Sequence, residues 1–423
     1  MKNQFSLLRQ RQFLPLFLTQ YFGAFNDNVF KNALVILITY STAKDLGQDP
    51  AILVTAAAGI FILPFFLFSA VAGQLADKYP KPFLIKRLKI IEVFLMAGAA
   101  AAFFIGNIYL LLGVLFLMGT QSSFFGPLKY SILPDLLHED ELIGGNALVE
   151  AATFIAILLG TIVGGIFILK DGGITIISGS VILVAAMGWA SSIFIPKGKA
   201  ANNNMSVNWN IFSASWDIIK TLRPQKDVFN AILGISWFWL VGFIFLAYLP
   251  VYGQSILRVN EDVVTMMLTF FSVGIGAGSL LCNRLLNGEI KMTWAPVGAL
   301  GMAVTTLLLY FYPTNVMPDD VYLDLSGFFA DVSNWYVFLI MTMVAAFGGL
   351  YVVPLYAVLQ TRVKSTYRSR AIAANNIMNA FFMVAASVIT LVLLKYLDSI
   401  AGLFAVLGVL NFIVAALFLR GRK

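Results

Sequence analysis

The chain has 423 residues, of which 60% are hydrophobic and 12% charged, with a formal net charge of +7. Soluble domains are roughly 45–50% apolar and about 25% charged, and disordered chains combine low hydrophobicity with high charge, so both classes are excluded. An outer-membrane barrel would show ~10-residue segments of alternating hydrophobicity, whereas this chain has continuous apolar runs. The composition therefore predicts an all-α polytopic membrane protein.

Twelve apolar segments are each close to the ~20 residues that a bilayer-spanning helix needs. They cover residues 13–40, 51–74, 88–105, 108–127, 143–169, 174–195, 228–253, 263–286, 295–312, 335–358, 371–394 and 399–419. The longest hydrophilic stretch separates six spans from six. We therefore expect an N-terminal half over residues 1–195, a linker over 196–227 and a C-terminal half over 228–423.

The linker carries apolar residues at helical spacing: Ile211, Phe212, Trp216, Ile219 and Leu222. This pattern predicts an amphipathic helix on the membrane surface. The alternative is an irregular linker with scattered apolar residues.

Basic residues predict the orientation of the chain. Most of the 28 Lys and Arg residues lie on the side of the N-terminus, whereas Lys44, Lys170, Arg258 and Lys395 lie in loops on the other side. The positive-inside rule then places both termini in the cytoplasm. The positive charge is explained by topology, so we expect no nucleic-acid partner.

Span 1 contains a run of polar residues, Asn26, Asp27, Asn28 and Lys31. An ionisable group at membrane depth is costly unless it is paired or hydrated. Asp27 and Lys31 are four residues apart on one helical face and can pair. This face is expected to line a polar cavity for substrate, the alternative being an ion pair that only fixes helix packing.

Spans 4 and 5 supply a second polar group. Lys129 and Tyr130 end span 4, and Asn146, Glu150 and Thr153 follow at helical spacing near the start of span 5. Glu150 needs a partner inside the membrane, and Lys129 is a candidate. Alternatively, Lys129 extends to the cytoplasmic interface.

The C-terminal half has uncharged candidates at the corresponding places: Tyr356 in span 10, and Asn375 and Asn379 in span 11. Trp237 and Trp239 in span 7 are candidates for an apolar wall. Aromatic residues are also common at membrane interfaces without any binding role.

The sequence has few residues that could form an enzyme active site. His138 is the only histidine, and the fifth position after it is Ile143 rather than the Asp of an acyltransferase box. There is no phosphate-binding Gly-rich loop, and Cys282 is the only cysteine. We expect no catalytic residue, no cofactor and no metal site.

Three pairs of short segments recur in the same order in the two halves. They are Gly73–Lys78 with Gly278–Asn283, Pro127–Tyr130 with Pro354–Ala357, and Asn146–Glu150 with Asn375–Asn379. Two parallel six-helix halves with a substrate site between them would leave this pattern.

The segment from Gly73 to Lys81 resembles the loop 2–3 signature of the major facilitator superfamily. The resemblance implies a fold of twelve transmembrane helices in two six-helix halves. It also implies gating roles for Gly73, Asp77, Lys78 and Lys81. Asp77 is expected to pair with a basic group, or to cap a helix N-terminus, across the interface between the halves. The repeat has Cys282 and Asn283 in place of Asp77 and Lys78, so we expect a one-sided latch.

Further segments are similar to the lysophospholipid transporters of that superfamily. They are Phe25–Asn28, Gly73–Asp77, Pro127–Leu133, Asn146–Ala151, Ala156–Thr161, Gly348–Gly349 and Val353–Leu355. The resemblance implies a flippase that moves lysophospholipid from the outer to the inner leaflet of a bacterial inner membrane. Reacylation would then need a separate acyltransferase, because the chain has no such domain. We expect a monomer surrounded by membrane lipids.

One departure weakens the headgroup assignment. Transporters of this type can carry an arginine in span 7, whereas residues 236–250 contain no basic residue. A gradient-driven exporter of a soluble molecule such as a drug or siderophore, with Asp27 and Glu150 as proton sites, stays open. A membrane scaffold without transport is disfavoured by the buried charges.

Overall fold

The computed structural model describes residues 4–39, 50–311, 322–397 and 399–420. Twelve long helices run through this part of the chain, as the apolar segments predict, and they are numbered α1–α12 in chain order. Their bounds are Leu14–Leu37, Pro50–Lys78, Lys81–Ile105, Ile108–Ser131, Leu142–Phe167, Gly173–Ile193, Lys226–Ser255, Glu261–Leu286, Ala295–Phe311, Trp335–Thr361, Arg368–Leu393 and Ile400–Arg420. Lys44, used above to predict orientation, lies outside the described residues.

Ten of these helices are long and apolar enough to cross a membrane, and α1 and α9 differ from them for separate reasons. Helix α1 has 24 residues but carries the polar stretch from Gln20 to Asn32, which lowers its hydropathy. Helix α9 has 17 residues, and the residues that follow it, 312–321, lie outside the described part. Both pack inside the bundle, α1 against α5 and α9 against α12.

Helix α3 begins at Lys81 rather than at residue 88, where the sequence predicted the start of a span. Pro82 lies in the first turn, where the missing N–H of proline costs no intrahelical hydrogen bond. The basic residues that follow therefore continue the helix instead of forming a loop. As a consequence, Lys89 and Glu92 lie well inside a membrane helix.

Helices α1–α6 pack into one bundle and α7–α12 into a second. Within the first, α5 approaches α1 closely at Gly160. A Cβ atom at this position would lie 2.5 Å from the carbonyl oxygen of Phe25. Only glycine permits this approach, which holds the polar face of α1 firmly beside α5.

The helix Ile211–Leu222 lies in the linker, where the sequence predicted an amphipathic helix. Its Ile218 and Leu222 are buried, and the helix packs on α2 and α11. Phe212 and Trp216 are exposed. Leu222 therefore lies on the face that packs against the bundle. The sequence pattern placed it on one face with Phe212 and Trp216, which are exposed instead.

The two bundles meet on the side of the membrane at which α1 begins and α12 ends, called the termini side below. There α2 packs against α11, and α5 packs against α8. The contact of α5 with α8 is close at Ala151, whose Cβ would lie 3.5 Å from a Cβ placed on Gly276. These contacts close the interface between the halves on the termini side.

Candidate functional site

A stacked pair of tyrosines joins the halves at the centre of the candidate site. Tyr130 of α4 and Tyr356 of α10 lie face to face, with ring centroids 4.2 Å apart and planes 9° from parallel. The Tyr130 hydroxyl donates a 2.5 Å hydrogen bond to Glu150 Oε1. Trp239 Nε1 donates to the Tyr356 hydroxyl at 3.0 Å. Four candidates from both halves are thus in direct contact.

Lys129 lies beside this pair but does not bond to Glu150. Its ammonium donates to Thr153 Oγ1 at 3.1 Å and lies 4.7 Å from the centroid of the Tyr130 ring. Glu150 is instead bonded to Tyr130. The expected ion pair of Lys129 and Glu150 is not formed among the described residues, because the Tyr130 ring and hydroxyl lie between the two groups. Lys129 is half-buried and points into the protein rather than extending to the interface.

Asp27 of α1 is held by α4 rather than by its neighbour on the same helix. Ser122 Oγ donates to Asp27 Oδ2 at 2.8 Å. Lys31 lies with its ammonium 4.4 Å from the centroid of the Phe61 ring, on α2. The expected salt bridge of Asp27 with Lys31 is therefore absent from the described part of the chain. The spacing on α1 permits it, but a hydroxyl and a ring face on the adjacent helices bind the two groups instead.

The asparagines of α1 have three different environments. Asn28 bonds to the carbonyl of Ala24 in its own helix at 2.7 Å. Asn32 bonds to the carbonyl of Thr161 on α5 at 2.6 Å. Asn26 is fully buried, and within the described residues neither of its side-chain polar atoms has a hydrogen-bond partner.

The C-terminal half contributes neutral polar groups. Asn379 Oδ1 accepts from Ser236 Oγ at 2.8 Å, which joins α11 to α7. Asn375 is completely buried on the same helix. Trp237 Nε1 donates to Asn411 Oδ1 at 2.7 Å on α12. The structure therefore places Trp237 on the side of α7 that faces α12, away from the tyrosine pair, and brings only Trp239 of the predicted wall into the cluster.

A buried ion pair on α3 was not predicted from the sequence. Lys89 Nζ lies 2.6 Å from Glu92 Oε2, and the two side chains are 1% and 3% exposed. Lys89 and Glu92 are the second and fifth residues of the predicted span 88–105, and neither is among the predicted site residues. The available signal was two opposite charges three residues apart inside an apolar run, a spacing that favours pairing on a helix.

Asp77 contacts the N-terminus of α11 across the halves, as the sequence predicted. Its Oδ1 accepts from the backbone N–H of Ser369 at 3.0 Å, and its Oδ2 accepts from Arg370 Nε at 2.9 Å. Gly73 lies one turn earlier on α2. A Cβ there would lie 2.6 Å from the Cβ of Ala373, so glycine permits this crossing. Carboxylate, helix N-terminus and guanidinium together form a charged latch.

A second ionic contact extends this latch. Asp135 accepts from Lys81 Nζ at 2.7 Å and from Arg368 at 3.2 Å, so it joins α3 of one half to α11 of the other. Lys78 is half-buried, with its ammonium 5.9 Å from the centroid of the Tyr79 ring. Three of the four predicted gating residues thus take part in contacts that involve α11, directly or through Asp135.

An amide pair closes the interface between the latch and the tyrosines. Asn146 and Gln360 exchange hydrogen bonds of 2.7 and 2.9 Å, and Gln360 also donates to the backbone oxygen of Tyr130 at 3.1 Å. Gln360 is fully buried. Asn146 therefore belongs to the closure on the termini side, one layer below the tyrosine pair.

Across the described ranges, no group of three or more His, Cys, Asp or Glu side chains could hold a metal ion. The site instead offers one ammonium group, that of Lys129, the carboxylates of Asp27 and Glu150, and aromatic and amide side chains. The charged groups can bind a ligand that carries a positive and a negative charge, and the aromatic side chains can bind the apolar part of the same ligand.

The sequence matches the family model described as Major Facilitator Superfamily over residues 16–323. It is 27% identical over 374 residues to the lysophospholipid transporter LplT of Yersinia pestis (strain Pestoides F), covering 88% of this chain and 84% of that protein. LplT of Yersinia pseudotuberculosis serotype O:3 (strain YPIII) matches with the same identity and coverage.

Solved structures show a similar fold. FucP in the outward conformation superimposes with a TM-score of 0.70 at 14% identity, covering 98% of this chain and 100% of that chain. The human organic anion transporter MFSD10 (TETRAN) superimposes with a TM-score of 0.71 at 13% identity, covering 96% and 99%. At these identities the likeness concerns the fold alone.

Proposed function

Because the chain belongs to the major facilitator superfamily, and is a membrane transporter rather than an enzyme, we propose that it is a lysophospholipid flippase. It moves lysophospholipid from the outer to the inner leaflet of a bacterial inner membrane by alternating access. The proposal draws on the similarity to the LplT proteins of Yersinia and on the distribution of charge in the candidate site.

The observation that carries the proposal is that the charges of the site belong to one half only. Asp27, Lys129 and Glu150 reach it from the N-terminal half. The described charged side chains of α7–α12 lie in the first or last turn of their helices. The C-terminal half faces the cluster with Trp239 and Tyr356. Both walls contribute aromatic rings, but only the N-terminal wall carries charge.

A lysophospholipid has the matching distribution of groups. Its phosphate needs a cationic contact, which Lys129 supplies. An ethanolamine ammonium needs an anionic contact, which Asp27 or Glu150 supplies. Its single acyl chain needs apolar surface, which the stacked rings of Trp239 and Phe154 supply beside the tyrosine pair. A soluble molecule would not need a wall of this kind.

The proposed direction, from the outer to the inner leaflet, is compatible with the side that is closed. The halves meet on the termini side, and the positive-inside rule places that side in the cytoplasm. In this state the site would accept lysophospholipid from the outer leaflet, and the flipping assay decides the direction of net transfer. A separate acyltransferase would restore the second acyl chain after delivery. We propose that the protein works as a monomer.

The test is a flipping assay in proteoliposomes with fluorescently labelled lysophosphatidylethanolamine. We expect protein-dependent transfer of the label between leaflets, and weaker transfer by the Lys129→Met variant. Lys170→Met, which changes a lysine in the loop between α5 and α6, serves as the matched control. Transfer no faster than in protein-free vesicles, combined with gradient-driven uptake of a soluble compound, would replace the flippase by an exporter.

A further inference from the structure

We propose that a buried hydrogen-bonded chain, Lys89–Glu92–Gln121–Ser122, positions Asp27 to bind the ammonium group of a zwitterionic lysolipid headgroup. The inference rests on the proposed function and deepens it, because it names the residues that select the headgroup. Asp27 is the residue that touches the substrate, and the other four residues act through it.

The chain starts at the ion pair on α3. Glu92 Oε2 accepts from Lys89 Nζ at 2.6 Å and from Gln121 Nε2 of α4 at 3.0 Å. The Lys89 ammonium also lies 4.7 Å from the centroid of the Phe125 ring. A buried pair of this kind is costly to desolvate and adds little stability by itself. Its hydrogen bonds to α4 therefore matter more for position than for stability.

The ion pair fixes which way the Gln121 amide points. A carboxylate can only accept hydrogen bonds, so the NH2 group of Gln121 must face Glu92. The amide oxygen then faces the other way, where Ser122 Oγ lies 3.3 Å from it. The Leu88 carbonyl, 3.4 Å from the same nitrogen, accepts from it as well and favours the same orientation of the amide.

Ser122 consequently has two acceptors for one proton. Its hydroxyl lies 2.8 Å from Asp27 Oδ2 and 3.3 Å from Gln121 Oε1. It donates to Asp27 Oδ2 at the shorter distance and holds the carboxylate in place. A substrate ammonium then binds the other carboxylate oxygen, Oδ1, while the hydroxyl stays on Oδ2. Without the hydroxyl a carboxylate oxygen loses its donor and the carboxylate is no longer held toward the ammonium, which weakens binding.

The same ion pair also fixes the backbone that carries Asp27. Lys89 Nζ lies against Gly23, one turn before Asp27, so closely that a Cβ atom there would collide with it. Helix α1 is thus seated directly on the buried ammonium. Within the described residues Asp27 Oδ1 accepts no hydrogen bond, and the residue is half-buried, so this oxygen is available to a ligand.

The test compares Ser122→Ala with Ser123→Ala in the full-length protein in proteoliposomes. Ser123 is the adjacent buried serine, and its hydroxyl donates to the carbonyl of Thr120 in its own helix. The probes are lysophosphatidylethanolamine, which has an ammonium group, and lysophosphatidylglycerol, which has none. Ser122→Thr keeps the hydroxyl and serves as the rescue variant.

We expect Ser122→Ala to raise the apparent KM for lysophosphatidylethanolamine about 10-fold, the effect of losing one hydrogen bond to a charged group. The KM for lysophosphatidylglycerol should change less than about 2-fold, and Ser122→Thr and Ser123→Ala should resemble the unaltered protein. Gln121→Met should also raise the KM for lysophosphatidylethanolamine more than the KM for lysophosphatidylglycerol. It is the variant that tests the positioning role if Ser122→Ala does not fold. Equal losses for both lipids, or no loss, would overturn the positioning role.

A second measurement separates this inference from the proposed function. Infrared difference spectra of protein labelled with 13C-carboxyl aspartate, taken against Asp27→Asn, isolate the Asp27 carboxylate band. Ser122→Ala should shift that band, and Ser123→Ala should not. If the unaltered protein moves neither lysolipid, the flippase proposal fails while the band still tests the hydrogen bond. An unshifted band would overturn the positioning of Asp27 by Ser122.

Discussion

Single side chains in this protein have partners that chain spacing alone does not give. Asp27 and Lys31 have the separation of a helical ion pair, yet each contacts a different neighbouring helix. Lys129 and Glu150 both contact Tyr130 and do not bond to each other. The sequence identified these groups because charge inside an apolar run is conspicuous. It could not give their partners, which depend on rotations of helices that are distant along the chain.

Replacing Asp27 tests whether transport needs a negative charge in the site. Asp27→Asn keeps the shape and an acceptor for Ser122 but removes the negative charge. We expect the fold to be retained and the rate of lysophosphatidylethanolamine flipping to fall by at least about 10-fold, because an ammonium loses its counter-charge. Flipping rates in proteoliposomes, normalised to reconstituted protein, measure this. As a control, Asn28→Asp added to the Asp27→Asn variant places a negative charge on the neighbouring residue and should not restore transport. Near-normal flipping by Asp27→Asn would reduce Asp27 to a packing role.

Tyr130 is expected to couple to Glu150, whereas Lys129 should couple to it weakly. Double-mutant cycles of thermal unfolding in detergent would compare Tyr130→Phe with Glu150→Gln, and Lys129→Met with Glu150→Gln. We expect an interaction free energy on the order of 1 kcal/mol or more for the first pair and under about 0.5 kcal/mol for the second. The reverse order would mean that Lys129 and Glu150 form the dominant pair in solution.

At the scale of helices, apolar length alone predicts where the chain crosses the membrane. The boundary of α3 was wrong because Pro80 and Pro82 were taken as loop residues, although the first turn of a helix accepts proline. The predicted start at residue 88 placed Lys89 and Glu92 at the beginning of the span, whereas the helix begins at Lys81 and carries both further inside. The sequence predicted that Asp77 contacts the other half, but it did not identify Arg370 as the partner. Nothing in the sequence distinguishes Arg370 from the other arginines near the loops.

The crossing of α2 and α11 depends on the absence of a side chain at Gly73. Gly73→Ala places a Cβ 2.6 Å from the Cβ of Ala373 and 2.9 Å from the backbone oxygen of Ser369, so the helices must separate. We expect the thermal unfolding temperature to fall by several degrees, because close packing at the latch is lost. Gly59→Ala on the same helix is the control, since no atom lies within 4 Å of the Cβ position there. Equal stability of the two variants would contradict the close crossing.

In the molecule as a whole, the closure between the halves is asymmetric. The α2–α11 side has Asp77 with Arg370 and Asp135 with Arg368. On the α5–α8 side, Asn283 takes the place of a charge in the repeat and lies 3.5 Å from a Cβ placed on Gly144. Among the described residues, the ionic contacts that close the termini side are therefore concentrated at α11. Under the proposed alternating access, a change there shifts the balance between the two states, because these contacts would be broken when the termini side opens.

Asp77→Ala should shift the population toward the state that is open on the termini side. The variant loses three hydrogen bonds to a buried carboxylate, from the backbone N–H groups of Ser369 and Arg370 and from Arg370 Nε. The loss is on the order of 2 kcal/mol, which corresponds to a roughly 30-fold change in the equilibrium. A reporter cysteine, Ala151→Cys, lies buried at the α5–α8 contact, and Cys282→Ser removes the native thiol. A membrane-impermeant thiol reagent applied from the termini side should label the reporter at least about 5-fold faster in Asp77→Ala than in Asp217→Ala, an exposed acid on the linker helix. Equal or slower labelling would mean that Asp77 reflects membrane topology only, and that closure is shared by both sides of the interface.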